Sequence, residues 1–260
     1  MDSTEQLNHS SAGLNSNNIQ DALRVAEALR RGCETVIKGK SETIAMVITA
    51  LLADGHVLLE DYPGSGKTTL TKALGKLIDA SSQYAHIQGF RRIQFTPDML
   101  PGDVLGVTIF EPKTGSFNFV HGPVFAHILL ADELNRTSPK VQAAFLECMA
   151  EKQVTIDNVT HTLDELFFVV GTQNPLDLAG TYPLPLVQLD RFLLKIPMSY
   201  VDAETEFDIL AGISDINARL ENLNPVCTRH EILAARQSVA QVHVAPIVRE
   251  TIVSIVQATR

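Results

Sequence analysis

The feature that most constrains this 260-residue chain is one stretch where an apolar run, a glycine-rich turn and an amphipathic helix follow one another directly. Val57-Leu58-Leu59 comes after the turn pair Asp54-Gly55, and a run so short and so bounded reads as a strand buried on both faces. Pro63-Gly64-Ser65-Gly66-Lys67-Thr68-Thr69 follows, and Leu70, Ala73, Leu74, Leu77 and Ile78 then share one helical face. Two residues without side chains let backbone N–H groups curl round a phosphate, and the helix turns its positive end toward the same charge. Lys67 would then reach the β- and γ-oxygens of ATP, and the Thr68 hydroxyl would ligate Mg2+. Such loops usually begin with a glycine where this chain has Asp61, a residue that tolerates unusual backbone angles. The bland alternative is a surface turn of the same composition; the strand before it and the helix after it argue against that.

Further strands are expected at Arg92–Phe95, His127–Ala131, Leu166–Thr172 and Phe192–Ile196, with helical or hairpin signals between the last three. The pattern predicts an α/β fold, a mainly parallel sheet covered by helices. Ahead of it, Leu23, Ala26 and Leu29 mark a helix from Ile19 that Gly32 would stop, and Ser41 would cap a second helix. Two hairpins interrupt the scheme: Thr108–Phe110 with Phe117–Phe119 about Pro112-Lys113-Thr114-Gly115, and Val154–Ile156 with Val159–Thr162 about Asp157-Asn158. After Met198 the signals are helical alone, with Pro225 in a loop and Pro246 opening the last helix. The expected organisation is a tail over 1–18, a nucleotide-binding core over 19–200 and a small, incomplete helical lid over 201–260.

The strand Ile128-Leu129-Leu130-Ala131 ends in Asp132-Glu133. At the carboxyl edge of a parallel sheet this pair would lie beside the glycine loop, with Asp132 supporting Mg2+ and Glu133 orienting or deprotonating an attacking water. Ser138 would cap the next helix, with Pro139 at its first position. Arg136 is equally a surface cation or a contact to a neighbouring subunit's phosphate. Asn174, after Gln173 at a strand end, could hold the water opposite Glu133 or simply form the turn before Pro175. Arg191 could be salt-bridged locally or be delivered in trans to transition-state charge.

Composition narrows the alternatives. A net charge of −9 argues against a broadly basic nucleic-acid surface. Cys33, Cys148 and Cys227 are widely separated, so neither a disulfide framework nor a close-spaced zinc site is suggested, and buried reduced thiols are expected. The polar, Ser- and Asn-rich N-terminus lacks the basic and apolar blocks of a signal peptide, and no apolar run reaches the ~20 residues of a membrane span. A cytoplasmic location is the default expectation.

Taken together, Arg92-Ile93-Gln94-Phe95-Thr96-Pro97-Asp98, Gly122-Pro123-Val124-Phe125, Ala131-Asp132-Glu133-Leu134-Asn135-Arg136 and Gly171-Thr172-Gln173-Asn174-Pro175 resemble the MoxR family of AAA+ ATPases. The likeness runs from about Leu23 to Arg260. It implies that Gly64 to Thr69 form a Walker A loop, that Asp132-Glu133 form Walker B, that Asn174 is a sensor residue and that Arg191 is a candidate arginine finger. Gly39 stands where the family carries a glycine near the adenine. The hairpin about Gly115 matches an insert in the second helix, and that about Asp157-Asn158 matches the hairpin before the sensor. The resemblance further implies homo-oligomeric rings, often hexamers, a protein client, chaperone-like remodelling and von Willebrand factor A partners. The family's lid continues past the point where this chain stops and carries a second sensor arginine. An AAA+ nucleic-acid motor and a nucleotide-gated binding switch with little turnover are the alternative functions.

Overall fold

A computed structural model describes residues 16–61, 64–79, 86–174 and 180–259. In chain order its elements are α1 (Ser16–Glu34), α2 (Ser41–Leu52), β1 (Val57–Asp61), α3 (Lys67–Leu77), β2 (Ile78–Asp79), β3 (Gln88–Gln94), α4 (Pro101–Leu105), β4 (Gly106–Glu111) and β5 (Ser116–His121). There follow β6 (Ala126–Asp132), α5 (Pro139–Glu151), β7 (Gln153–Ile156), β8 (Val159–Thr162), β9 (Phe168–Gln173), α6 (Leu186–Leu189) and β10 (Leu194–Met198). The chain closes with α7 (Ala203–Ala211), α8 (Ile213–Glu221), β11 (Cys227–Thr228), α9 (Arg229–Ala240) and α10 (Pro246–Ala258).

Five strands form one parallel sheet in the order β10-β1-β9-β6-β3. Strand β1 lies where the winding changes direction: β3, β6 and β9 approach it from one side and β10 adds on the other. In such sheets ligands bind outside the carboxyl ends of the strands at this switch. Period-two alternation sorts the strand residues onto two cores. Val57, Leu59, Ile128, Leu130, Phe168 and Val170 pack with α1, α2, α3 and α9, and Leu58, Leu129, Ala131 and Val169 pack with α4 and α5. Both faces are therefore covered, and every residue of β6 is buried. All three cysteines are buried and unpaired, and burial pushes the Cys33 and Cys227 thiols up to about 12.

Both hairpins form as expected and antiparallel; the first is longer than its apolar signals, and the second adds only Gln153. Asp157 and Asn158 have φ 51° and 63°, the pair of left-handed residues that a two-residue hairpin turn of matching twist requires.

Several expectations need correction. Helix α1 begins at Ser16, inside the span assigned to the tail, and runs through Gly32 to Glu34. Gly32 is there for contact, since a Cβ would lie 2.5 Å from Leu77 Cδ2. Ser41 is the first residue of α2 and Lys40 its N-cap, while Ser138 occupies the N-cap of α5 without a side-chain cap bond. Strand β3 starts four residues before Arg92, and β10 starts at Leu194, so Phe192 precedes it. The region after Met198 is not helical alone: β11 pairs in parallel with β2. Helix α9 packs on α1 and α2. Its first residues carry a capping box, with Thr228 Oγ1 accepting from the Glu231 N–H at 3.2 Å and Glu231 Oε2 accepting from the Thr228 N–H at 2.8 Å.

Candidate active site

The glycine loop leaves the carboxyl end of β1. Gly64 and Gly66 hold φ 85° and 91°, and nothing lies within 4 Å of a Cβ built on Gly64. An added side chain there would meet left-handed strain and would occupy the space the loop keeps clear. Lys67, Thr68 and Thr69 form the first turn of α3, so the helix N-terminus opens on that space. Asp61 is the last residue of β1, paired with Met198 in the parallel ladder. The strand conformation is open to any residue, so the missing first glycine needs no special tolerance from aspartate. Pro63 lies outside the described residues.

Strand β6 lies two strands away from β1 and delivers Asp132 at its end. Lys67 Nζ comes to 3.2 Å from Asp132 Oδ1. Thr172 of β9, the strand between them, donates its hydroxyl to the same oxygen at 2.8 Å and accepts the Glu133 N–H at 2.9 Å. Arg92 Nη2 donates to Asp132 Oδ2 at 2.6 Å. Burial pushes the Asp132 carboxyl up, but Arg92, Thr172 and Lys67 together outweigh it and hold the group below its ordinary value. Asp132 is thus an anion framed by two cations and a buried hydroxyl.

Glu133 adopts a left-handed conformation, φ 57° and ψ 49°, which is strained for a residue with a side chain. That turn takes it out of the buried ladder and onto the rim. There its Oε2 accepts from Gln94 Nε2 at 2.8 Å and pairs with Arg136 Nη1 at 3.1 Å. Arg136, left open between a surface cation and a contact in trans, is paired within its own chain with Glu133. Asn174 follows β9 directly and is half-buried at the same edge. Arg191 is not brought to this site. It is exposed and precedes β10, near the opposite, amino edge of the sheet.

A cleft of about 420 Å³ adjoins the loop, lined by Ile37, Lys40, Gly64, Gly66, Tyr200 and Ile213 among others. Apolar wall on one side and glycine loop on the other suit a purine base and its phosphates. Gly39 does not line this cleft. Its flanking residues Lys38 and Lys40 do, while Gly39, at φ 68°, backs onto Val201 and Thr205. The buried ammonium of Lys40 donates to the Ser199 carbonyl, tying this loop to the exit of β10. The residues present fit Mg2+ and a nucleoside triphosphate, with a clear glycine cradle, Thr68 on the first helical turn and Asp132 held as an anion.

Sequence reasoning assigned no role to Arg92, Gln94 or Thr172. Polar residues at i and i+2 of a strand flanked by Ile93 and Phe95 were a signal for the first two. Thr172 carried no signal, because its role depends on the cross-strand register of β9 with β6.

Residues 56–194 match the family described as ATPase family associated with various cellular activities (AAA). The uncharacterized protein YeaC of Bacillus subtilis is 47% identical over 225 residues, which is 86% of this chain and 68% of that protein. The chaperone MoxR1 of Mycobacterium tuberculosis is 36% identical over 86% of this chain. The chain belongs to the MoxR family of AAA+ ATPases. A crystal structure of a candidate ATPase from Cytophaga hutchinsonii superposes on this MoxR-family fold with a TM-score of 0.80 and 37% identity, covering 93% of this chain and 71% of that one. The chain spans 57% of MoxR1 and 49% of the protein MoxR of Methylorubrum extorquens, to which it is 30% identical over 178 residues. Among the described residues no helix is long and apolar enough to cross a membrane.

Proposed function

We propose that this MoxR-family chain binds ATP with Mg2+ at the carboxyl edge of the sheet, hydrolyses it, and uses the cycle to remodel partner proteins as a chaperone-like machine. The observation that carries the ATPase reading is the convergence of Lys67 and Thr172 on Asp132, with Glu133 turned out beside it. In this reading the amides of Gly64 to Thr69 hold the phosphates, and Lys67 leaves Asp132 to neutralise the terminal phosphoryl oxygens. Thr68 and Asp132 would hold Mg2+, whose charge offsets that of the phosphates. Glu133 accepts the proton of the attacking water, and Asn174 orients that water from β9. Gln94 and Arg136 must first release the Glu133 carboxylate, so the resting chain keeps its base engaged. Arg191, far from its own site, acts on the next copy in a ring, for which a hexamer is the natural form. A von Willebrand factor A protein is the expected partner class, and the name of the relative MoxR1 supports the chaperone-like part of the reading. Net charge argues against a nucleic-acid motor.

The test is a pair of variants assayed for binding and turnover. Glu133→Gln keeps ATP affinity within about twofold and lowers turnover by a hundredfold or more, the usual scale of general-base loss. Lys67→Ala weakens ATP binding itself by about a hundredfold, as expected on losing charge-assisted bonds. Undiminished hydrolysis in Glu133→Gln would remove Glu133 from the mechanism.

A further inference from the structure

At the amino edge of the sheet lies a second cavity, of about 830 Å³, which the nucleotide reading does not use. Three imidazoles from separate elements meet there: His86 before β3, His121 ending β5 and His161 in β8. His86 stacks face to face on His121, with ring centroids 4.0 Å apart and planes 20° from parallel. His161 stacks in the same manner on Phe119 of β5, at 3.9 Å and 15°. His121 and His161 are 6.0 Å apart at 78°, and Phe125 meets His121 edge-on at 4.5 Å. The β4–β5 and β7–β8 hairpins therefore touch through a column of rings.

Metal capture does not explain this column. Stacked imidazoles direct their in-plane lone pairs side by side, not toward one point, and no group of three ligating side chains among the described residues could hold a metal ion. Charge does bear on it. A proton on one ring places a cation in a part-buried aromatic cluster, and a second places like charges about 4 Å apart, which is repulsive. The charged groups facing the cavity are already engaged. Lys152 pairs with Asp54, Arg229 pairs with Asp164 and reaches Glu165, and His127 stands behind Asp164 at 3.4 Å. Asp164 is thus committed elsewhere, and Glu165 faces solvent.

We propose that His121, stacked on His86 and set beside His161, is the proton-controlled element of a clasp between the two hairpins, closed while its imidazole is neutral and released when it is protonated. Burial, followed by His86 and His161, holds the His121 imidazole below its ordinary value, the direction a clasp favouring the neutral ring requires. The sign follows from linkage: closure is fully supported above the ordinary imidazole pKa of about 6.5 and weakens as pH falls below it.

Hydrogen exchange on the full chain between pH 8 and pH 5, corrected for intrinsic exchange, tests this. Hairpin amides of β4–β5 and β7–β8 should open up to about tenfold more per pH unit below about 6.5, while amides of β6 and β9 hold steady. His121→Phe, which keeps a ring and removes the proton, should leave the hairpins protected with a flattened pH response. His161→Phe should reduce the response and keep the stack on Phe119. Hairpin protection independent of pH in the unmodified chain would overturn the clasp. So would an unchanged pH response in both variants, or protection already lost at pH 8 in His121→Phe.

Discussion

At the carboxyl edge of the central sheet, Glu133 gathers donors on a rim beside the buried Asp132; at the amino edge, Asp164 is locked between elements. Asp164 accepts from Arg229 Nε at 2.8 Å and from the Leu166 N–H at 2.8 Å. Arg236 of α9 is buried and donates to the carbonyls of Leu51 and Glu165, each at 2.9 Å, while pairing with Asp54. Left-handed backbone at residues with side chains occurs at both edges, at Glu133 on the carboxyl side and at the ion-paired Asp54 and Lys152 on the amino side. Replaceable side-chain partners of Glu133 stand where the proposed nucleotide would enter, and the opposite edge joins α9 to the sheet. The same strands thus support a labile end and a cohesive one.

Arg191 is where this contrast can be broken most severely, because it lies toward the cohesive end of its own chain yet is proposed to serve the labile end of another. Arg191→Ala should lower turnover by about a thousandfold in assembled rings while sparing nucleotide binding by a protomer. An equal loss in a dilute monomer, followed by steady-state ATPase assay, would show that it acts within its own chain. Asp164→Ala sharpens the contrast from the other side. It strands Arg229 and the buried His127, and should lower unfolding free energy by about 3 kcal/mol in denaturant titrations with ATP affinity unchanged.

His56 gives the next largest effect. It is buried between β9 and α5, with Nδ1 accepting the Val169 N–H at 3.1 Å and Nε2 facing the Met149 carbonyl at 3.2 Å. Burial brings its pKa down to about 4, so the folded chain favours the neutral ring. The stability tied to that ring is present above the unfolded value of about 6.5 and is lost as pH falls toward 4. Between pH 7.5 and pH 5 the loss should be about 2 kcal/mol, and His56→Gln should remove most of this slope whatever its stability at pH 7.5. An identical slope in the variant would show that His56 is not the titrating group.

What the sequence made legible follows the same division. The glycine loop, Asp132-Glu133, Asn174 and both hairpin turns are local patterns, set by residues within a few positions of one another. The sheet edges followed less well, because β3 begins with polar and glycine residues that carry no apolar signal. Thr172 on Asp132, Gln94 on Glu133 and Arg92 on Asp132 are contacts across strands, separated by about forty residues in sequence. Arg236 on Leu51 spans 185. Such partners depend on register and helix packing, which no local pattern encodes. The pairing of β11 with β2 was hidden for the same reason, since two residues are too few to show alternation.

Calorimetry with ATP and millimolar Mg2+ tests the central claim most directly. The chain should give saturable heat at one nucleotide per protomer, and Lys67→Ala should not reach saturation in the same concentration range. No heat from the unmodified chain, or equal heat from both, would contradict the placement of the phosphates between the glycine loop and Asp132.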